Sequence, residues 1–439
     1  MVVQGHSYKL RPAKPRNLGT MFGPIRYWRS YLRGTGGQGF HPLDAELGLT
    51  TDRLSMNLLS LASRLATMLS YAKVHTTLCW FLGSAPSTEV IEQTVLGLGR
   101  RTAQWFEQTP APADDGEVLV IQIDSKGAPT ATETELQRRR GKRRPNPHPE
   151  SARHRGRARR ALYGKKPRRK KGDKSKNARL ATMAVMYTLR RAPDGSKLLG
   201  PVNKRVYASF APKRHVFAVA RREADKRGFT KESGKLVQIL TDGDEDLADY
   251  AQQYFPEALH TIDVVHVIEY IYQAGECLFK EGSAELQAWV NDHKELLYTG
   301  KEALIVARLK RYYHALPATG PGNKGRRERL WSSIRYLEKR LLRMNYKDLI
   351  DLDLELGTGM VEGGVKNLIG ARFDFGGSRW IRERAEALLQ LRCIEFNGQW
   401  EAFIAWLHDN HLHRGRHQAQ RIRIQHAAAG PLPTLGVAA

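Results

Sequence analysis

Two short apolar runs, each closed by an aspartate, constrain this chain more than anything else in it. The first is Val118-Leu-Val-Ile-Gln-Ile-Asp124 and the second Leu236-Val-Gln-Ile-Leu-Thr-Asp242, with Gly127 and Gly243 close behind. Short, β-branched runs of this kind predict buried strands of an α/β sheet. Ligands and catalytic groups gather at the carboxyl ends of adjacent strands in such sheets. Two carboxylates placed there repel and shift each other's pKa, which a divalent cation resolves. Oxygen-only donors select a hard ion, Mg²⁺ or Mn²⁺. Either Asp alone also fits the opening of a turn. The two together, in a chain this basic, point to a site. Asp244, Glu245 and Asp246 compete with Asp242, but only Asp242 directly follows the apolar run, and the later acids suit a helix N-terminus.

The pattern around these runs gives the fold. Leu180–Leu189 and Val206–Phe210 read as further strands, Lys213–Arg227 as a helix, and His260–Asp263 as a short fifth strand. Three adjacent strands, a helix, then two more strands is the order of an RNase H-like α/β core. Residues 267 to about 350 read as helical throughout, most clearly Lys301–Tyr313 and Trp331–Met344, with a break at Pro317–Lys324. A last helical region spans about Gly359–Trp406.

The N-terminal part reads differently. Residues 1–45 form a basic arm with interleaved aromatics, Arg26, Tyr27, Trp28, Arg29, Tyr31 and Arg33. Cations beside flat rings suit a sugar-phosphate backbone; an irregular arm packed on its neighbour is the other reading. Helices are predicted along Leu54–Leu69, Val74–Leu82 and Thr88–Phe106, the last capped by Ser87. Helix, Gly/Pro turn, helix outlines a mainly helical, helix-turn-helix-like DNA-binding domain, and Arg100 and Arg101 lean it towards DNA.

Charge narrows the partner. The chain carries a net +26, and +18 of it lies between Arg138 and Arg179, where 20 basic residues meet two acids, Glu150 and Asp173. Such a run cannot fold alone and calls for a polyanion, nucleic acid first. Its densest parts are Arg138, Arg139, Arg140, Lys142, Arg143 and Arg144, then Arg168, Arg169, Lys170 and Lys171. A solvated loop without a role is the bland alternative. No apolar run is long enough for a membrane span, and the first residues lack the apolar region of a secretory signal. A cytoplasmic, nucleoid-associated protein is expected. Cys79, Cys277 and Cys393 are isolated and read as buried free thiols.

The third acid comes from Gly359-Met-Val-Glu362-Gly-Gly-Val-Lys366-Asn-Leu-Ile-Gly-Ala-Arg372-Phe, followed by Arg379-Trp380. Glu362 and Lys366 share a helix face. Cations beside a carboxylate suit a metal-plus-phosphate site, so Lys366, Arg372, Arg379 and Trp380 are candidate DNA contacts. An ordinary surface ion pair is the plain alternative.

With PLDAELGL, IDSKG, LTDGDEDL, IDVVHVIEY, GMVEGGVKNLIGARF and GGSRW, the chain resembles bacterial insertion-sequence transposases of the DDE superfamily, the Kra group related to Mutator-type enzymes. The resemblance spans roughly residues 15 to 410. It implies a catalytic, metal-binding triad of Asp124, Asp242 and Glu362, with Asp263 and His266 in an auxiliary or structural role; a core histidine is the other reading of His266. It also implies two-metal phosphoryl transfer with Mg²⁺ or Mn²⁺: Asp124 bridges two ions roughly 3.5–4 Å apart, and Asp242 and Glu362 hold one each. Water cuts the element end and the freed 3′-OH attacks target DNA. Relatives carry cysteine pairs before the PLD segment; here Arg29–His41 has none, so no zinc is expected. The partners implied are double-stranded DNA at element ends and target, and a second copy of the chain in a homodimer or larger assembly. A nuclease without a joining step, and a silent DNA-binding derivative, share these motifs. The expected divisions are the arm 1–45, helical domain 46–112, core 117–267 with a basic insertion 131–179, helical insertion 268–356, second core segment 357–412, and a basic then disordered tail 413–439.

Overall fold

A computed structural model describes residues 2–3, 6–34, 39–47, 49, 53–134, 137, 178–374 and 379–410. The chain forms two compact units, the first from Met1–Thr109 and Ala387 onward, the second from Pro110–Glu386. Most of the basic run and the tail after residue 410 lie outside the described residues.

In the first unit the basic arm is a sheet. Strands β1 (Val2–Val3), β2 (His6–Thr20), β3 (Gly23–Gly34) and β4 (Gly39–Phe40) pair antiparallel in that order. A two-residue turn joins β2 and β3: Thr20 Oγ1 donates to the Gly23 carbonyl at 2.7 Å, and Gly23 takes a φ of 108°, which glycine alone adopts without strain. Register shifts between Arg11 and Lys14, around Pro12, which has no N–H for the ladder. The acid of the PLD segment organises the inner face. Asp44 accepts from Arg16 at 2.8 Å and from the Tyr27 hydroxyl at 2.7 Å, and also pairs with Arg29.

Helices Met56–Met68, Tyr71–Leu82 and Thr88–Gly99 follow as expected, and Ser87 caps the third by accepting from the Val90 N–H. The predicted Thr88–Phe106 helix is broken at Arg100–Arg101 and resumes at Thr102–Gln108. Gly97 and Gly99 weaken the helix there. Gly99 is required by a crossing, because a Cβ on it would meet the Ala387 Cβ at 2.4 Å. Residues from Ala387 on pack with the N-terminal helices, through Trp400 Nε1 donating to Ser60 Oγ at 2.9 Å and Trp105 against Phe403.

The second unit holds a five-stranded mixed sheet. It is built from β5 (Val118–Pro129), β6 (Ala178–Arg191), β7 (Leu198–Ser209), β8 (Val237–Thr241) and β9 (Leu259–Ile262), in the order β7-β6-β5-β8-β9. The first three strands run antiparallel, and β8 and β9 run parallel to β5. The first strand is longer than its apolar run: Asp124 pairs with Met183 inside β5 rather than ending it. Parallel pairing of β5 with β8 stops at Ile123 and Thr241, so Asp124 and Asp242 each stand one residue past it. The helix Lys213–Lys226 links β7 to β8 and buries Val216, Phe217 and Ala220. Helices Val264–Gly275, Ala284–Tyr298, Glu302–Ala315, Asn323–Glu338 and Tyr346–Asp351 form a helical insertion after β9. Its return is fixed by the buried Tyr346 hydroxyl, which donates to the Ile262 carbonyl at 2.8 Å. Among the described residues no helix is long and apolar enough to cross a membrane. Cys277 and Cys393 are buried free thiols and Cys79 is half-buried.

The Asp44 hub predicts a stability effect. Its side chain and that of Arg16 are 11% and 8% exposed, so Asp44→Ala strands buried cations. Chemical denaturation should show a loss of about 3–5 kcal/mol, the usual cost of breaking a buried pair. A loss below about 1 kcal/mol, typical of a surface pair, would contradict this assignment.

Candidate functional site

Side chains alternate across a strand, so Gln122, Asp124 and Lys126 of β5 point to one sheet face. The segment carrying Glu362 lies over that face. Gln122 is buried within an otherwise apolar run and spends its whole amide on this segment and its surroundings. Its Oε1 accepts from the Val361 N–H at 3.1 Å, and its Nε2 donates to the Gly357 carbonyl at 3.2 Å and to the Tyr187 hydroxyl at 3.0 Å. Gln238 on the neighbouring β8 does the same one step earlier: its Nε2 donates to the Glu355 carbonyl at 2.7 Å, and its Oε1 accepts from the Glu355 N–H at 3.1 Å. Two buried amides therefore hold residues 355–361 against the sheet and set where Glu362 begins its helix, Gly359–Gly364. A Cβ on Gly364 would meet Met183 Cε at 2.5 Å, so glycine lets this helix settle on β6.

Asp263 joins the same segment to the end of β9. Its buried carboxylate accepts from the Thr358 N–H at 3.0 Å, the His266 N–H at 3.3 Å and His266 Nδ1 at 2.6 Å. It caps the helix Val264–Gly275, fixes the imidazole through Nδ1 and leaves Nε2 as the available nitrogen. Ligand atoms of Asp263, His266 and Glu362 lie within 4.8 Å of one another, a group that could hold a metal ion. With both Asp263 oxygens already engaged, its part suits the orienter that commonly stands behind a metal-binding histidine.

Asp124 and Asp242 stand outside that tight group, yet the charges are coupled. Burial pushes the Asp124 carboxyl up to about 6; the Ser125 N–H works against this, Asp242 raises it further, His266 lowers it and Glu362 raises it. His266 is raised to about 9, chiefly by its hydrogen bond to Asp263 and against burial, with the charges of Asp263, Glu269 and Asp242 adding to it. Burial works to raise Asp263, but the bonds from His266 and Thr358 hold it below the ordinary value. Asp242 sits in the loop after β8 and accepts from the Asp244 N–H at 2.9 Å. The helical insertion grips that loop: Arg340 donates to the Gly243 carbonyl at 2.5 Å and lies over Tyr336, whose ring occupies the space a Cβ on Gly243 would need.

The remaining predicted residues are distributed unevenly. Lys366 is exposed, one turn after Glu362. Arg372 is buried, with its guanidinium 4.7 Å from the Trp380 ring centroid. The two lie six residues apart and do not share an azimuth; Val365–Gly370 between them is a π-helical segment. Arg379 is exposed, whereas half-buried Trp380 bridges to Thr130 beside β5. Arg100 is exposed and Arg101 half-buried at the helix break. Arg138, Arg139, Arg140, Lys142, Arg143, Arg144, Arg168, Arg169, Lys170 and Lys171 lie outside the described residues. The sequence reading passed over Gln122 and Gln238. The available signal was a lone amide two or four positions before each acid, on the acid's own strand face.

No family model matches the sequence, and no curated protein matches it. Among solved structures the chain is similar to the Drosophila P element transposase strand transfer complex, at 11% identity and a TM-score of 0.34, over 82% of this chain and 96% of that one. Chains sharing this little pass no chemistry from one to the other.

The Asp263–His266 pair carries its own test. Because the folded value of His266 lies above the ordinary 6.5, the pair's contribution to stability is complete below about 6.5 and is lost as the pH rises through about 9. NMR of the metal-free protein should show the imidazole titrating near 9, and Asp263→Asn should lower it. A wild-type midpoint at or below 6.5 would contradict the geometry.

Proposed function

We propose that the protein is a DNA transposase with a DDE-type site on an RNase H-like core. One observation carries this reading: Asp124 on the central strand, Asp242 just past its parallel neighbour and Glu362 on a helix held over the same face act on one another electrostatically, beside His266. The strand order and directions are those expected of an RNase H-like sheet.

The donor set fits a divalent cation. All three are oxygen donors, from three separate elements, and burial penalises the charge of Asp124, as its raised pKa reflects. Asp124, Asp242 and Glu362 would hold it, with His266 at the margin. Mg²⁺ or Mn²⁺ would supply neutralisation of phosphate charge and activation of the attacking hydroxyl. The chain's own residues position and screen. Gln122, Gln238 and Asp263 fix Glu362 and His266, while exposed Lys366 and Arg379 face the phosphates. Arg372, stacked on Trp380, braces the segment between them. The basic run Arg138–Arg179 adds sequence-independent affinity by releasing counterions.

Two transfers of one kind make up the reaction. Water attacks a phosphorus at the element end, the P–O3′ bond breaks, and the oxygen leaves as a 3′-hydroxyl. That hydroxyl then attacks a target phosphodiester, displacing the target's own 3′-oxygen, so bonds are exchanged and no oxidant or energy donor is needed. Pairing two ends requires a homodimer or a larger assembly on DNA.

Labelled duplexes bearing candidate element ends, incubated with Mg²⁺ and target plasmid, test this. Wild type should nick the ends and join them, and Asp124→Ala should do neither while still binding. Cleavage without joining would mark a nuclease, and binding without cleavage a silent derivative; either would overturn the proposal. Affinity should fall roughly 10³–10⁵-fold between 50 and 200 mM salt, and deleting residues 138–179 should flatten that slope.

A further inference from the structure

Residues 1–43 contain seven Lys and Arg and no acid; Asp44 is the first carboxylate in the chain. A hairpin built from such a segment must dispose of that charge, and its two faces do so differently.

Cross-strand pairing assigns the faces. Arg16 stands opposite Tyr27 and Lys14 opposite Arg29, on the face that meets Asp44. That face is anchored further by Leu18, which is buried. Asn17 stands opposite Arg26 and Pro15 opposite Trp28, on the other face. All four are exposed, Trp28 by 62%, and the Arg26 guanidinium lies 5.9 Å from the Trp28 ring centroid. Among the described residues no carboxylate pairs with Arg26. The Asp44 hub pairs with Arg16 and Arg29 of the inner face and leaves the outer face without a carboxylate partner among the described residues.

We infer that the β2–β3 hairpin is a DNA-reading ribbon whose outer face, with Asn17, Arg26 and Trp28, lies in the major groove of B-form DNA. A major groove about 12 Å wide accepts a two-stranded β-ribbon. Asn and Arg are the side chains that match base edges there, Asn to adenine and Arg to guanine O6 and N7. Here they are cross-strand neighbours. A-form RNA has a major groove too deep and narrow for side chains to read, so duplex RNA does not fit this face. The inference goes beyond the proposed function, resting on it only for the choice of DNA as polyanion.

The test uses the full-length protein with 40-mer duplexes of candidate element ends and matched duplex RNA. Arg26→Ala and Asn17→Ala, at exposed positions that leave the melting temperature unchanged, should each weaken binding to the preferred DNA by roughly 5–150-fold. They should leave binding to scrambled DNA nearly unchanged. Methylating guanine N7 should block wild-type binding at a discrete position, and Arg26→Ala should lose that sensitivity. Unchanged affinity in both variants, interference only from minor-groove methylation, or equal affinity for duplex RNA would overturn the inference. Asp124→Ala separates the two readings: if it binds with the same N7 footprint but wild type does not cleave, the ribbon stands and the transposase reading falls. A wild type that binds no duplex DNA overturns both.

Discussion

Asp263 is buried and ionised at the junction of three chain segments, and the site depends on that carboxylate. It follows β9, caps the helix that opens the insertion, and accepts the Thr358 N–H from the far end of that insertion. A buried charge is costly unless hydrogen bonds surround it, and here three donors do. Removing any of them leaves part of the charge unmatched, so the carboxylate enforces the meeting of segments that lie 95 residues apart. Gln122 and Gln238 extend the same device across the sheet. Each pairs with backbone of the 355–361 segment, so its N–H and C=O groups are satisfied by the sheet rather than by water. Glu362 is thereby placed by polar contacts that tolerate little slippage.

Such placement explains how a site can be assembled across a large insertion. The helices between His266 and Glu362 grip both sides of it, through Tyr346 on β9 and through Arg340 on the loop after Asp242. The insertion thus holds the end of β9 and the loop that carries Asp242, and is more than a spacer. A π-helical turn, Val365–Gly370, follows Glu362, with Lys366 exposed on it and Arg372 buried just beyond it. Irregular turns of this kind recur at functional sites.

Much of this was legible in the sequence because it follows from short-range pattern. Five strands and the helix Lys213–Lys226 were readable from apolar period and length, and Ser87 from its place before a helical run. The arm's sheet was hidden, since Pro12, Pro15 and the glycines dilute a strand signal that Asp44 restores through long-range ion pairs. The break at Arg100 depends on Gly99 meeting Ala387, a contact no local window contains. Gln122 was visible only as an odd amide in an apolar strand, and its purpose lies 239 residues further along the chain.

Anomalous diffraction from crystals of the protein grown with Mn²⁺ and a cleaved-end duplex tests the central claim most directly, that Asp124, Asp242 and Glu362 form one metal site. The account predicts manganese density bonded to the Asp124 carboxylate and shared with Asp242 or Glu362, next to the 3′-end. Manganese bound elsewhere, with Asp124 touching none of it, would contradict the account.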